Sequence, residues 1–246
     1  MITKEKVSRH CMREFNTVSV MQPYIFPWIG YFQLINQADC FVLYDDAHFI
    51  KKGYINRNAI LSAGQAQRFT LAVPGLSQNK RISELHFDWN NGKFLKTITH
   101  CYQRAPFYKE ILPLIEDVVL RKDKGIAACC QQAIQNILGY LGLSKKLLRS
   151  SEIEYDRTEN AENKIIGICK TLGCNTYVNS SGGRHLYSVQ VFANQGIVLR
   201  FLRANNVVYG QQGTTEFVPN LSIIDVLMHC PPDSVRQALN HYYYEE

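Results

Sequence analysis

Residues 17–43, which read TVSVMQPYIFPWIGYFQLINQADCFVL, decide the fold of this chain. The first five residues are an apolar, β-branched run of the kind that forms a buried strand. Pro23 and Pro27 then enforce an extended loop, because proline restricts its own φ and the conformation of the preceding residue. After Gly30 the apolar residues recur at helical spacing, and Cys40–Leu43 is a second apolar run. Strand, loop, helix and strand in this order predict a βαβ unit with parallel strands.

The rest of the chain adds strands and helices to this unit. Short apolar or alternating runs predict further strands at residues 69–73, 81–87, 176–179 and 197–201. Helical spacing predicts helices at residues 125–141, 163–172, 188–194, 221–229 and 234–242. Residues 91–150 are predicted to form a helical elaboration packed beside the sheet. The fold class that follows is α/β, with a mainly parallel, Rossmann-like sheet, a helical insertion and C-terminal helices.

Composition indicates a folded protein with an anionic partner. Hydrophobic residues make up 46% of the 246 residues, which is enough to form a core, and no repeat or low-complexity linker divides them. We therefore expect one α/β domain at residues 16–246 after an N-terminal leader at residues 1–15. The net charge of +6 favours a phosphorylated small molecule or a nucleotide-sugar. Because Lys and Arg are scattered, nucleic acid is not expected as a partner, except as an aminoacyl carrier.

The cysteines predict neither a disulfide scaffold nor a metal site. The chain has eight of them, with no C-x-x-C pair and no ladder of metal ligands. The first residues are too polar for a signal peptide, and no apolar run is long enough to span a membrane. Reduced thiols, no bound metal and a cytoplasmic location are the expectation.

The loop after the first predicted strand is the first candidate site. In open parallel sheets, ligands bind outside the carboxyl ends of the strands. The loop also leads into a helix N-terminus, where free N–H groups favour a phosphate or carboxylate. The candidate ligand contacts in this segment are Gln22, Tyr24, Trp28 and Tyr31. Burial in the core is the alternative for the aromatic residues, and it is the more typical outcome for Phe26 and Tyr31.

The second predicted strand ends in a polar segment that supplies both acid–base and cationic groups. Asp46 and His48 are the candidate catalytic residues, because a carboxylate and an imidazole can transfer protons. Asp45 and Asp46 are not expected to point into one site together, since consecutive residues of a strand face opposite ways. The candidate substrate contacts that follow are Lys51, Lys52, Asn56, Arg57 and Asn58. Arg57 offers a planar fork for a phosphate or carboxylate, and a solvated loop is the alternative.

A third candidate loop follows the predicted strand at residues 176–179. Ser181 and Gly182 would let the backbone approach a ligand closely, and Arg184 adds positive charge. If the strands are parallel, this loop lies at the same sheet edge as the other two. We therefore expect Gln22, Asp46, His48, Arg57 and Arg184 to surround one cleft. Walker-type loops, the G-x-G-x-x-G fingerprint and the G-x-S-x-G elbow are all missing from the sequence.

Residues 22–58 resemble the opening signature of the WbqC-like family. The matching features are Gln-Pro, an aromatic-Pro pair, Gly-Tyr-Phe, a strand ending in Asp-Asp, a basic pair and Asn-Arg-Asn. The resemblance continues through residues 69–74, 177–187, 216–219 and 221–225. It implies a place in the synthesis of bacterial O-antigen and related surface sugars, with transfer of glycine or another amino acid to an amino-sugar. The longer leader and His48, where the family has Gln or a similar residue, depart from the pattern.

A looser resemblance links the first half of the chain to pantothenate synthetase and other HIGH-motif nucleotidyl-transferring enzymes. Those enzymes hold ATP phosphates with His-x-Gly-His, whereas this chain has Trp28-Ile29-Gly30-Tyr31 there. The resemblance implies a similar fold, and the loss of both histidines puts the ATP chemistry in doubt.

Two functions therefore compete. The first is an amide-forming transferase or ligase that joins an amino-acid donor to a nucleotide-linked amino-sugar. His48 or Asp46 would be its base, and Lys52, Arg57 and Arg184 would stabilise phosphate or oxyanion charge. ATP or a charged carrier would activate the carboxyl, and the sequence leaves both open. The second is a non-catalytic protein that binds a sugar-nucleotide or glycan.

Overall fold

The computed structural model describes residues 15–88 and 91–245. The strands in this part of the chain are β1 (Thr17–Met21), β2 (Cys40–Leu43), β3 (Arg57–Ser62), β4 (Gln65–Thr70), β5 (Lys146–Arg149), β6 (Thr176–Ser180), β7 (Val198–Ala204) and β8 (Tyr242–Glu245). The helices are α1 (Ile29–Gln37), α2 (Asn91–Tyr102), α3 (Tyr108–Val119), α4 (Ile126–Tyr140), α5 (Ala161–Thr171), α6 (Val189–Asn194), α7 (Ile223–His229) and α8 (Pro232–Ala238). Residues 1–14 of the expected leader lie outside the described residues, and the single-domain assignment stays a prediction.

The main sheet confirms the predicted α/β fold. Six strands lie in the order β5-β2-β1-β6-β7-β8, and all neighbours are parallel except the antiparallel pair β7 and β8. The first βαβ unit is also confirmed, because β1 and β2 pair in parallel with Val18 opposite Cys40 and Met21 opposite Leu43. The fold is thus a mainly parallel, Rossmann-like sheet with helices.

Both faces of the sheet carry an apolar cluster. Along β2, Phe41 and Leu43 belong to one cluster, whereas Cys40 and Val42 belong to the other. The first cluster includes apolar residues of α1 and of helices α2–α4, and the second includes those of α5 and α6. Because central parallel strands are buried on both faces, they read as continuous apolar runs. This burial explains why the sequence predicted β1 and β2 so closely.

The pairing of β1 with β6 is shorter than the pairings on either side of it. This pairing stops at Val18 and Tyr177, whereas β1 continues beside β2 to Met21 and β6 continues beside β7 to Ser180. The helix that follows β1 and the helix that follows β6 contribute to opposite apolar clusters. This divergence is the topological switch point at which open α/β sheets bind ligands.

A hairpin replaces the single strand predicted at residues 69–73. Strands β3 and β4 pair antiparallel and form a separate two-stranded sheet. Their two-residue turn has positive φ at both Ala63 (47°) and Gly64 (75°). Such a turn matches the twist of paired strands. Turns of this type usually have Asn, Asp or Gly at the first position. Because this chain has Ala63 there, the sequence did not indicate the hairpin.

The predicted strand at residues 81–87 is wrong. Ile82–Glu84 is a short 3-10 helix, and Ile82, Leu85 and Phe87 are buried. Three-residue spacing places Ile82 and Leu85 on one side of such a turn. The Glu84 carboxylate accepts the Arg81 backbone N–H at 2.6 Å and fixes its start.

Two edge strands occur where helix was predicted. Strand β5 lies inside the section 91–150, and β8 begins where the predicted C-terminal helix was to end. Helices α2, α3 and α4 confirm the helical character of the section only as far as Tyr140. Both strands are four residues long and partly exposed, so they lack the apolar run that marks a buried strand.

A buried carboxylate joins the helical section to the C-terminal part of the chain. Asp225 is fully buried and accepts hydrogen bonds from the Tyr102 hydroxyl (2.8 Å), the Tyr209 hydroxyl (2.6 Å) and the Gln211 amide (2.9 Å). The Tyr102 oxygen also accepts the backbone N–H of Leu61 in β3 at 2.9 Å. One network therefore holds together α2, α7, the hairpin and the loop that contains Tyr209 and Gln211.

Tyr102→Phe should lower the free energy of unfolding by about 1–3 kcal/mol, because the Leu61 amide and Asp225 each lose a buried partner. Equilibrium unfolding in urea measures this loss. Tyr108→Phe is the matched control, since the Tyr108 hydroxyl contacts Thr99 Oγ1 (2.9 Å) in a partly buried position, and it should cost less than about 1 kcal/mol. If both variants lost the same free energy of unfolding, the structural role assigned to the Tyr102 hydroxyl would be contradicted.

Candidate functional site

The loop after β1 is held in a strained conformation by two other parts of the chain. Phe26 has a φ of 44°, which is uncommon for a residue with a side chain. Its carbonyl accepts hydrogen bonds from Asn58 Nδ2 and from Ser222 Oγ, both at 2.7 Å. Ile223 N–H also donates to the Pro27 carbonyl at 2.8 Å. The hairpin and the start of α7 therefore fix the loop that carries Trp28.

This loop forms one wall of a pocket of about 290 Å³, here called the aromatic pocket. The residues that line it are Tyr24, Pro27, Trp28, Tyr54, Asn58 and Asn220. Trp28 is 39% exposed and Tyr54 is 59% exposed. The ring of Tyr24 lies between those of Tyr31 (5.6 Å) and Tyr54 (6.1 Å). Large exposed aromatic rings beside amide groups suit a sugar or a planar base.

Backbone strain is concentrated around this pocket. Among the described residues, positive φ at a position other than glycine occurs at Phe26, Lys52, Ala63 and Asn220. Ala63 belongs to the hairpin turn, whereas the other three lie in loops that build the aromatic pocket. Strain of this kind costs roughly 1–3 kcal/mol per residue and is found mainly at functional sites.

A second pocket, here called the cationic pocket, lies beyond the carboxyl end of β2 and has a volume of about 260 Å³. The residues that line it are Tyr44, Asp46, Ala47, His48, Arg81, Tyr155, Arg157, Ala161 and Lys164. Within the described chain, neither Arg81 nor Lys164 forms a salt bridge. His48 is exposed. The pocket therefore presents two cations and an imidazole to an incoming anion.

Asp46 is anchored by its neighbours in the cationic pocket. Its carboxylate accepts hydrogen bonds from Arg157 Nε (2.8 Å) and from the Tyr155 hydroxyl (2.7 Å), and it also contacts Ser150 Oγ. Asp45 is buried beside it and accepts hydrogen bonds from the backbone N–H (2.9 Å) and the hydroxyl (2.8 Å) of Ser151. Only Asp46 lines the pocket, and its oxygens already have partners. Its geometry suits a positioning carboxylate better than a proton acceptor.

The tyrosines of the cationic pocket stay protonated well beyond neutral pH. Burial, followed by the Asp46 carboxylate, raises the pKa of Tyr44 to about 12. Burial and the hydrogen bond to Asp46 raise the pKa of Tyr155 still further. Both side chains are therefore phenols at neutral pH and can donate hydrogen bonds.

Several residues that the sequence singled out hold loops in place. Tyr31 is buried and donates a hydrogen bond to the Gln22 carbonyl at 2.9 Å, while Gln22 itself is half-buried. Asn56 donates to the carbonyl of Leu71 at 2.7 Å. The Arg57 guanidinium donates to the backbone carbonyls of Lys52 and Gly53. Lys51 and Lys52 are exposed on that same loop, which leads to Tyr54.

The residues singled out in the third predicted loop line neither pocket. Arg184 is 3.7 Å from the Glu245 carboxylate and lies over the ring of Phe201. Ser181 and Gly182 belong to a 3-10 helix, and neither lines a pocket described above. The five residues expected around one cleft are thus divided. Asp46 and His48 share the cationic pocket, whereas Gln22, Arg57 and Arg184 line neither pocket.

Comparison with known sequences adds an independent finding. The model of the WbqC-like protein family matches residues 22–237, which is most of the chain. This chain belongs to the WbqC-like family. It is also 25% identical over 227 residues to the uncharacterized protein Rv1507c of Mycobacterium tuberculosis (strain ATCC 25618 / H37Rv), covering 89% of this chain and 97% of that protein. No solved structure matches the chain.

The cationic pocket of this WbqC-like protein also contains residues that sequence reasoning missed. Arg81 was assigned to an edge strand, and Lys164 to a helix without a role. Tyr155 and Arg157 follow β5, which was not recognised as a strand. Identification of β5 would have placed them at the carboxyl edge of the sheet, because the ends of parallel strands lie together.

Between residues 15 and 245, apart from the gap at 89–90, no helix has the length and apolar character needed to cross a membrane. The same residues contain no group of three or more His, Cys, Asp or Glu side chains that could hold a metal ion. The described cysteines have free thiols.

Stability should fall as the pH rises above about 10. Burial, followed by nearby carboxylates, raises the pKa values of Tyr102, Tyr155 and Tyr209 in the folded protein, whereas in the unfolded chain they titrate near about 10. The contribution of these tyrosines to the free energy of unfolding is therefore fully present below their pKa in the unfolded chain. It is lost as the pH rises toward their pKa values in the folded protein. Urea unfolding combined with tyrosinate absorbance from about pH 8 to 11 tests this. Complete titration near pH 10 without unfolding would contradict it.

Proposed function

We propose that this protein joins an amino acid, such as glycine, through an amide bond to a nucleotide-linked amino-sugar used in bacterial surface polysaccharide. The observation that supports this proposal is the cationic pocket, in which His48 lies with Arg81 and Lys164 and neither cation forms a salt bridge within the described residues. The phosphates of the substrate would bind these two cations, and the imidazole would be available for proton transfer.

The two pockets suit two parts of such a substrate. Met21 and Leu43, the last residues of adjacent strands, are paired, so the loops that build the pockets leave the sheet side by side. The cationic pocket would hold the diphosphate through Arg81 and Lys164. The aromatic pocket would hold the base or the sugar against Trp28. Each pocket, at about 260 and 290 Å³, has room for one such group.

Amide formation requires an uncharged amine and stabilisation of the oxyanion. In our proposal, His48 takes the proton from the sugar amine, and the amine nitrogen attacks the activated carbonyl carbon. The C–N bond forms, the bond to the activating group breaks, and a cation of the pocket stabilises the oxyanion. Asp46 positions Arg157 and Tyr155 at the pocket wall, as its hydrogen bonds indicate. The activating group would be ATP-derived or a charged carrier.

Mass spectrometry tests the reaction directly. Purified protein is incubated with UDP- or dTDP-linked amino-sugars, glycine and ATP, and in parallel with a charged carrier in place of the last two. A new sugar-nucleotide amide supports the proposal. Retention of the sugar-nucleotide without product from either donor would support the non-catalytic binding protein instead.

His48→Gln should lower turnover by about two to four orders of magnitude while KM changes little, because the general base is lost and the binding cations remain. Steady-state kinetics of amide formation measures both constants. His86→Gln is the matched control, since His86 is also exposed but lines neither pocket, and it should react like the wild type. Unchanged turnover in His48→Gln would remove His48 from the mechanism.

Lys164→Gln should raise KM or Kd for the sugar-nucleotide by roughly tenfold to a hundredfold, the effect of losing one charge-assisted contact. Isothermal titration calorimetry with the sugar-nucleotide measures the affinity. Lys170→Gln on the same helix is the control, because Lys170 is exposed and outside the pocket. Similar affinities for both variants would exclude Lys164 from phosphate binding.

A further inference from the structure

Helix α2 carries basic side chains along one face, away from both pockets. Lys93, Lys96, His100 and Arg104 follow one another at spacings of three and four residues, so they lie on one side of the helix or its C-terminal continuation. All four are exposed. The row extends over about 16 Å at 1.5 Å per residue.

The basic face of α2 forms the wall of a groove rather than a convex surface. Two adjoining cavities, of about 440 and 540 Å³, share His100 and Cys101. The hairpin lines them through Leu61 and Gln67, and the loop after β7 lines them through Gln212. Gln212 Nε2 also donates to the Cys101 carbonyl at 2.7 Å, which fixes this wall. We call this feature the α2 groove.

The charged side chains that line the α2 groove are all basic. Of the described residues that line the two cavities, none is acidic. Lys96 and Arg104 form no salt bridge within the described chain. A solvated helix face usually intersperses charges of both signs, whereas a row of cations in a concave surface matches the regular charges of a phosphate backbone.

We propose that the α2 groove binds the sugar-phosphate backbone of an RNA strand. The cations would contact phosphates, and the amides of Gln67, Gln103 and Gln212 could bond the 2′-hydroxyls that distinguish RNA from DNA. Strand β3 also connects the groove with the aromatic pocket, which would hold the base or the sugar of the proposed substrate. Asn58 lines the aromatic pocket and Leu61 lines the groove, and three residues of strand span about 10 Å.

This inference rests on the proposed function and identifies its amino-acid donor as an aminoacyl ester on the 3′ end of an RNA. The sugar amine would attack the ester carbonyl, forming the C–N bond and breaking the C–O bond to the ribose. The proton lost by the amine would pass to the ribose oxygen. The free RNA and the amide are the products, so the step consumes no ATP.

Fluorescence anisotropy of a labelled 12-nucleotide RNA of mixed sequence and of deacylated tRNA tests the binding. The wild-type affinity should fall about twentyfold between 50 and 200 mM salt, as expected for roughly three phosphate contacts on a single strand. The double variant K96E/R104E should bind at least tenfold more weakly. The control K146E/K170E has the same change in charge at exposed positions outside the groove and should lose less than about threefold.

Equal losses in the two double variants, or no RNA binding at 50 mM salt, would overturn the proposal. So would equal affinity for DNA of the same sequence. Vesicles of phosphatidylserine and phosphatidylcholine are the other comparison. Binding to these vesicles but not to RNA would assign the groove to a membrane surface.

Transfer experiments separate this inference from the proposed function. Aminoacyl-tRNA with a UDP-amino-sugar and no ATP should give the amide, and K96E/R104E should lower its yield. Product from free glycine and ATP, with none from aminoacyl-tRNA, would overturn the RNA donor and leave the amide-forming function intact. RNA binding as described, with no amide from any donor, would overturn the amide-forming function and leave the groove assignment intact.

Discussion

The carbonyl of Phe26 is the point at which three separate parts of this chain meet. It accepts one hydrogen bond from Asn58 in the hairpin and one from Ser222 at the start of α7. These bonds hold Phe26 in a left-handed conformation that it would otherwise avoid. The position of Trp28 depends on that conformation, because Pro27 and Trp28 continue the same loop. Without the two donors, the aromatic pocket would have no fixed wall.

The buried carboxylate of Asp225 stabilises a second wall of the aromatic pocket. Its hydrogen bonds to Tyr102, Tyr209 and Gln211 fix the loop that continues to Asn220, on the far side of the aromatic pocket. Buried polar groups that are fully paired rigidify and specify a unique arrangement, whereas the loss of one partner is costly. The hairpin, α2 and α7 therefore act together on the pocket, although each is far from the others in sequence.

The cationic pocket has a different origin, in the edge strand β5. The parallel pairing of β5 with β2 brings Ser150, Tyr155 and Arg157 to the segment after β2. Asp46 then forms a salt bridge with Arg157, whereas neither Arg81 nor Lys164 forms a salt bridge within the described residues. The salt bridge with Asp46 thus gives Arg157 a structural role, whereas Arg81 and Lys164 line the pocket. The helical section adds a further basic surface, the α2 groove, on the other side of the hairpin.

The sequence by itself determined the parallel core and its first loop. The runs that became β1 and β2 are apolar because both faces of these strands are buried, so their pattern depends on their own residues. Asp46 and His48 were identified because they lie just after the second of these runs, and Trp28 because it lies between Pro27 and Gly30. Only the tertiary structure decided the rest. Strand β5 forms because β2 offers it backbone hydrogen bonds, and this pairing brings Arg157 to the pocket, whereas Lys164 reaches the pocket from α5. Arg57 was a plausible phosphate ligand from its chemistry, but its guanidinium instead binds the carbonyls of Lys52 and Gly53, a contact that depends on how the loop folds back. Residue type limits what a side chain can bind, and the packing of distant segments decides which partner it reaches.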